Sequence, residues 1–230
     1  METLILRIWF PDRPGALGHI ASRIGAAGGD LIGIDILERE NGQVIDELTV
    51  SLPDRDGLDL LLNEVGQVDG ARVEEARWVT TTLHDPRLDA LDAAAVLVAE
   101  QTRHGLVDRY CERIGTDFDA DWAAVLEAPQ LRVLASSGAV PNPRWLVAFV
   151  NGAGSVSTFP PQGLTECDVA LVPVRGTRLL VLASRPARPL RERERRQIES
   201  LGRIVQLRWQ QLDPSLVAGQ LDDPSPVVSH

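Results

Sequence analysis

From Thr3 to Phe10, the residues Leu4, Leu6, Ile8 and Phe10 alternate with Thr3, Ile5, Arg7 and Trp9, the period of two expected of a strand with unlike faces. Pro11-Asp12-Arg13-Pro14-Gly15 breaks that period. Leu17, Ile20, Ala21, Ile24 and Ala27 then recur at helical spacing, which predicts an amphipathic helix opened by Pro14 and ended by Gly28-Gly29. Ile32, Ile34 and Ile36 alternate with Leu31, Gly33 and Asp35, and Asn41-Gly42 signals a hairpin before a third strand over Gln43 to Leu52. Leu58, Leu61, Leu62 and Val65 mark a second helix, and Ala71 to Arg77 supplies a short last strand. The order β, α, β, β, α, β predicts one four-stranded sheet with both helices on one face. Its other face, bare of helices, is expected to associate with a second copy or another domain.

Thr80-Thr81-Thr82 and Asp85-Pro86 read as a linker over residues 80–88, after a first domain of residues 1–79. In the second domain, residues 89–213, a helical stripe of Leu88, Leu91, Ala95, Val98 and Thr102 leads into a less regular stretch ending near Thr116. Five short strands are predicted at Trp122–Leu126, Gln130–Ser136, Trp145–Val150, Asp168–Val174 and Arg178–Ser184. A closing helix from Arg191 to Leu212 buries Ile198, Leu201, Val205 and Leu212, and the fold class is α+β. Residues 214–230, rich in Pro and small polar residues, read as a disordered tail.

Composition narrows the function. A net charge of −10 opposes nucleic-acid binding, since such affinity comes largely from cations that displace counterions. All 23 basic residues are Arg, which removes Schiff-base chemistry, pyridoxal anchoring and the P-loop lysine together. No run approaches the roughly 18 apolar residues of a membrane span, and Met1 to Asp12 lacks a secretory pattern, so a cytoplasmic protein without a membrane partner is expected. Cys111 and Cys167 are too few for a disulfide framework.

The run Asp12-Arg13-Pro14-Gly15-Ala16-Leu17 after the first strand, with Gly28-Gly29-Asp30-Leu31-Ile32 entering the second, resembles an ACT domain. That resemblance implies a ferredoxin-like regulatory module that binds an amino acid or related effector between modules. The residues implied are Asp12, Arg13, Pro14, Gly15, Ala16 and Leu17 from one copy, with Asp30, Leu31 and Ile32 from its neighbour. Independently of the family, the first amides of a helix opened by Pro14 and Gly15 attract a carboxylate with about 0.3 to 1 kcal/mol from the dipole, and Asp12 can accept from an ammonium. The competing reading is that Asp12 only caps the helix. Residues Ala120-Asp121-Trp122-Ala123-Ala124-Val125-Leu126, the strand pair up to Ser184 and Pro189-Leu190-Arg191-Glu192-Arg193-Glu194 are together similar to a GAF domain. The short span from Gly138 to Asp168 departs from that family and implies a core that dimerises or transmits, with little ligand cavity.

Other constellations carry no chemistry. Asp117, Asp119 and Asp121 open like a calcium loop, but Trp122 and Ala128 occupy the positions of the turn glycine and the bidentate Glu. Gly152-Ala153-Gly154 after a strand is followed by Ser157-Thr158-Phe159-Pro160-Pro161, which opens no phosphate-binding helix. His19, His84, His104 and His230 form no metal pattern, and His19 reads as an exposed or interfacial helix residue. Arg191 to Arg196 reads as a solvated charged face, and the five tryptophans as packing residues. The expected protein is a homodimeric sensor that signals allosterically, with no catalytic residues, metal or cofactor. The alternative is an adaptor that binds no ligand and contacts a regulated enzyme or transcription factor.

Overall fold

The computed structural model describes residues 1–79, 86–154, 169–185 and 189–212. The chain divides into two compact units, one of Met1–Pro86 with Arg191–Glu194, the other of Arg87–Leu190 with Arg195–His230. Most of the predicted linker, Cys167 and the predicted tail lie outside the described residues.

The first unit runs β1 (Glu2–Pro11), α1 (Ala16–Ala26), β2 (Asp30–Glu40), β3 (Gln43–Leu52), α2 (Leu58–Gly66) and β4 (Arg72–Val79). All pairings are antiparallel, in the order β2-β3-β1-β4. This is the ferredoxin-like βαββαβ arrangement. Asn41 and Gly42 both take positive φ, 51° and 74°, the backbone that a two-residue hairpin turn of matching twist requires. Leu4, Leu6, Ile8, Val44, Leu48 and Val50 meet Ile20 and Ile24 of α1 and Leu61 and Val65 of α2 in one core. On the opposite face Thr3, Ile5, Arg7, Ile45, Thr49 and Ser51 are also buried.

That face carries charges the sequence reading had given to solvent. Arg7, only 1% exposed, donates from Nη2 to Glu47 Oε1 at 2.6 Å and to Glu194 Oε1 at 3.3 Å. Glu194 Oε2 in turn accepts from the Arg191 amide at 2.7 Å. Arg191 pairs with Glu74, lies within 3.7 Å of Glu38 and stacks 4.9 Å from the Trp9 ring centroid, while Arg193 pairs with Asp35. The expectation of a solvated face at 191–196 is therefore corrected: Arg191 and Glu194 are buried. The alternating pattern does not distinguish a charge bound by counter-charges from one facing water.

The second unit runs α3 (Pro86–Ala99), α4 (Arg103–Asp117), β5 (Trp122–Glu127), β6 (Arg132–Gly138), α5 (Pro143–Gly154), β7 (Val169–Pro173), β8 (Leu179–Ser184) and α6 (Glu192–Gln211), whose residues up to Glu194 count with the first unit. Its antiparallel sheet has the order β6-β5-β8-β7. One side packs Val125, Val181 and Ala183 against Leu97, Leu106, Tyr110, Ile114, Ile198 and Val205. The other packs Trp122, Ala124, Leu126 and Leu182 against Leu146 of α5, with Trp145 edge-on to Trp122 and stacked on Phe149.

Two expectations for this unit are corrected. Trp145–Val150 is helical, not a strand, and Gly152-Ala153-Gly154 closes that helix instead of following a strand. The reason is local: Pro143 suits a first helical turn, and Asn142 Oδ1 accepts from the Trp145 amide at 3.0 Å. Residues 103–117, expected to be irregular, form α4, whose N-cap Thr102 accepts from the Gly105 amide at 3.0 Å. The stripe Leu88, Leu91, Ala95 and Val98 faces outward, while Ala93 and Leu97 supply the core contact of α3.

Candidate functional site

The site predicted at the end of the first strand is an exposed loop on a rigid frame. The Asp12 amide donates to Gly42 O at 2.9 Å, tying the loop to the hairpin turn, and the Arg13 amide donates to Pro11 O at 2.9 Å. Gly15 is the N-cap of α1, at φ 87° and ψ −13°, and no side chain caps the helix. The left-handed conformation explains the glycine, since a side chain there is strained even though nothing lies within 4 Å of its position. Ala16 N–H returns to Arg13 O at 3.2 Å, leaving the amides of Leu17 and Gly18 without a hydrogen-bond partner among the described residues. The space above Gly18 is also open to 4 Å.

Asp12 does not cap the helix. Its carboxylate lies 3.6 Å from Arg39, and Arg13 lies 3.6 Å from Asp69; all four side chains are well exposed, so both pairs are weak. His19 is exposed on α1. The loop thus offers backbone donors, the Asp12 acceptor and exposed guanidinium groups.

Within one chain the other predicted residues are far away. Pro11 pairs with Gln43, whereas Asp30 pairs with Ser51 and Leu31 with Val50. The eight-residue step along β3 from Gln43 to Ser51 is about 26 Å. Asp12 to Leu17 and Asp30 to Ile32 are therefore at opposite ends of the sheet. β2 is an edge strand, and Ile32, Ile34 and Ile36 are 42%, 41% and 45% exposed along it.

Sequence reasoning missed Asp46, which is 2% exposed. It stands beside Ile8 on β1 and Ile36 on β2, and its Oδ1 has no hydrogen-bond partner among the described residues. Burial pushes its carboxyl up to about 6, against the opposing pull of Arg39 and with help from Asp12 and Asp35. The available signal was parity: Asp46 interrupts the row Val44, Leu48, Val50 that otherwise fills the helix-covered face.

In the second unit, Cys111 is buried and its thiol is pushed up to about 12 by burial, so it is unreactive. Asp117 is engaged by Arg113 at 2.8 Å. Among the described residues no three His, Cys, Asp or Glu side chains cluster as a metal site, and no helix is long and apolar enough to cross a membrane.

No protein-family model matches the chain. It is 27% identical over 81 residues to the NAD-dependent malic enzyme of Geobacillus stearothermophilus, which is 35% of this chain; the chain spans 17% of the length of that curated relative. Among solved structures it is similar to the ACT domain of the GTP pyrophosphokinase of Chlorobium tepidum, at 18% identity over 34% of this chain and 100% of that one, with a TM-score of 0.28. It is also similar to the GAF domain of the Acinetobacter phosphoenolpyruvate-protein phosphotransferase, at 14% identity over 63% of this chain and 100% of that one, with a TM-score of 0.34. Strand order and helix placement give the fold class directly: an α+β chain with an ACT-like βαββαβ unit followed by a GAF-like antiparallel sheet with flanking helices.

Proposed function

We propose that the chain is a cytoplasmic, non-enzymatic regulatory sensor whose ACT-like unit binds an amino acid between two copies and acts allosterically on an attached or associated protein. The observation that carries this reading is the start of α1, which no side chain caps and where the Leu17 and Gly18 amides have no hydrogen-bond partner among the described residues. A carboxylate there satisfies two orphan donors and meets the positive end of the helix dipole. Asp12 accepts from the ammonium.

A second copy completes the pocket. Antiparallel pairing of two β2 edges about Ile34 sets Ile32 against Ile36 and Ile34 against itself, which removes the exposed isoleucine row from water. The same register lays Asp30 to Ile32 of the second copy against residues 36 to 38, at the end of the sheet where Arg39 meets Asp12.

The test is a thermal-shift screen of the proteinogenic amino acids at millimolar concentration. At a hundredfold excess over Kd a ligand adds about 2.7 kcal/mol, which raises Tm by several degrees in a unit of this size. Gly18→Trp, at an exposed position in the first helical turn where an added Cβ has nothing within 4 Å, is expected to abolish the shift while the unliganded Tm stays close to wild type. Gly15 is a poorer probe, because any side chain at φ 87° is strained. Flat curves for every amino acid, or a shift retained in Gly18→Trp, contradict the reading.

A further inference from the structure

The apolar stripe on α3 meets no partner among the described residues of its own unit. Leu88, Leu91 and Val98 are 59%, 66% and 52% exposed, and Ala95 is exposed between them. Their spacing of three, four and three residues is that of heptad positions a, d, a and d. In that frame the buried Ala93 and Leu97 take positions f and c, so the helix presents its core contact on one side and a complete a/d seam on the other. Arg87 then stands at g and Asp92 at e. In a parallel, in-register pair a g residue faces the e residue five positions further on in the partner helix, so each Arg87 would meet an Asp92 of the second copy. An antiparallel pair sets e beside e and g beside g and gains no such contact.

We propose that α3 forms a parallel two-stranded coiled coil with α3 of a second copy of this chain. The choice of occupant follows from this self-complementarity: the seam is apolar at every a and d position, and its charged flank matches its own sequence in one orientation. Because α3 is already a folded helix of 14 residues, pairing orders no new backbone. The interface does not depend on the effector site.

The test uses the full chain with Cys167→Ser, leaving only the buried Cys111. Leu91→Cys occupies a d position and faces its own copy across a parallel two-fold axis, so oxidation is expected to convert most of the protein to a disulfide-linked dimer. Gln210→Cys, exposed on α6, is the collisional control and is expected to stay monomeric on a non-reducing gel. Arg87→Glu or Asp92→Arg alone should weaken association roughly fivefold by sedimentation, and the double exchange should restore it. Crosslinking of Leu91→Cys no greater than the control, as with an antiparallel seam, another occupant or none, overturns the proposal, as do charge reversals without effect. Repeating the crosslink in Gly18→Trp separates the two ideas, because loss of effector binding leaves the α3 dimer intact.

Discussion

Arg7→Met is expected to lower the unfolding free energy at neutral pH by about 3 to 5 kcal/mol, the range for breaking a buried ion pair by removing one partner. Arg7 is 1% exposed, and the Glu47 and Glu194 side chains that it joins are 13% and 11% exposed. Burial alone would ease the proton off the guanidinium, but Glu194 and Glu47 outweigh it and hold Arg7 above its ordinary range. Removing the cation leaves two carboxylates close together, poorly hydrated and uncompensated. Urea unfolding followed by tryptophan fluorescence reads the loss. Arg7→Met combined with Glu47→Leu is expected to lose less than Arg7→Met alone, since replacing both members of a buried pair by apolar groups costs little. A loss under about 1 kcal/mol for the single variant would mean the cluster is solvated.

Asp46→Asn is expected to stabilise the protein above pH 6 and to do nothing below pH 4. Burial pushes the native carboxyl up to about 6 from its ordinary value of 3.8, so between these pH values the folded state holds the extra proton. Stability of the wild type therefore falls as pH rises through that window and is flat above it. A shift from 3.8 to about 6 corresponds to about 3 kcal/mol, an upper value for the gain because the amide needs hydrogen-bond partners of its own. Denaturation at pH 4, 5, 6 and 7.5 checks both sign and window. Parallel pH profiles for Asp46→Asn and wild type would show that Asp46 is ionised with a normal affinity for protons.

The first unit was legible in the sequence because its signals are local. The two-residue period of β1, the helical stripe from Leu17 to Ala27 and the Asn41-Gly42 turn each specify their own geometry. The loop of the candidate site was legible for the same reason, as a Pro-Gly break between two strong patterns. What was not legible depends on tertiary context. The α3 stripe has perfect helical spacing, but spacing does not say which side meets the core, and Ala93 and Leu97 on the other side supply that contact. Trp145 to Val150 is a short apolar run that periodicity cannot assign, and the deciding feature is Asn142-Pro143 before it. Arg191 and Glu194 read as surface because their partners, Arg7, Glu38 and Glu74, are more than a hundred positions away. Asp46 was visible as a break in parity but not as a buried acid until the strands beside it were known.

On the proposed function, the Leu17 and Gly18 amides at the start of α1 receive the carboxylate of a small metabolite. Amide NMR of the full chain during titration with the amino acid that gives the largest thermal shift tests it most directly. The Leu17 and Gly18 resonances are expected to move downfield saturably, with Asp30 to Ile32 moving at the same concentration. Saturation of the thermal effect while those two amides stay in place would contradict it.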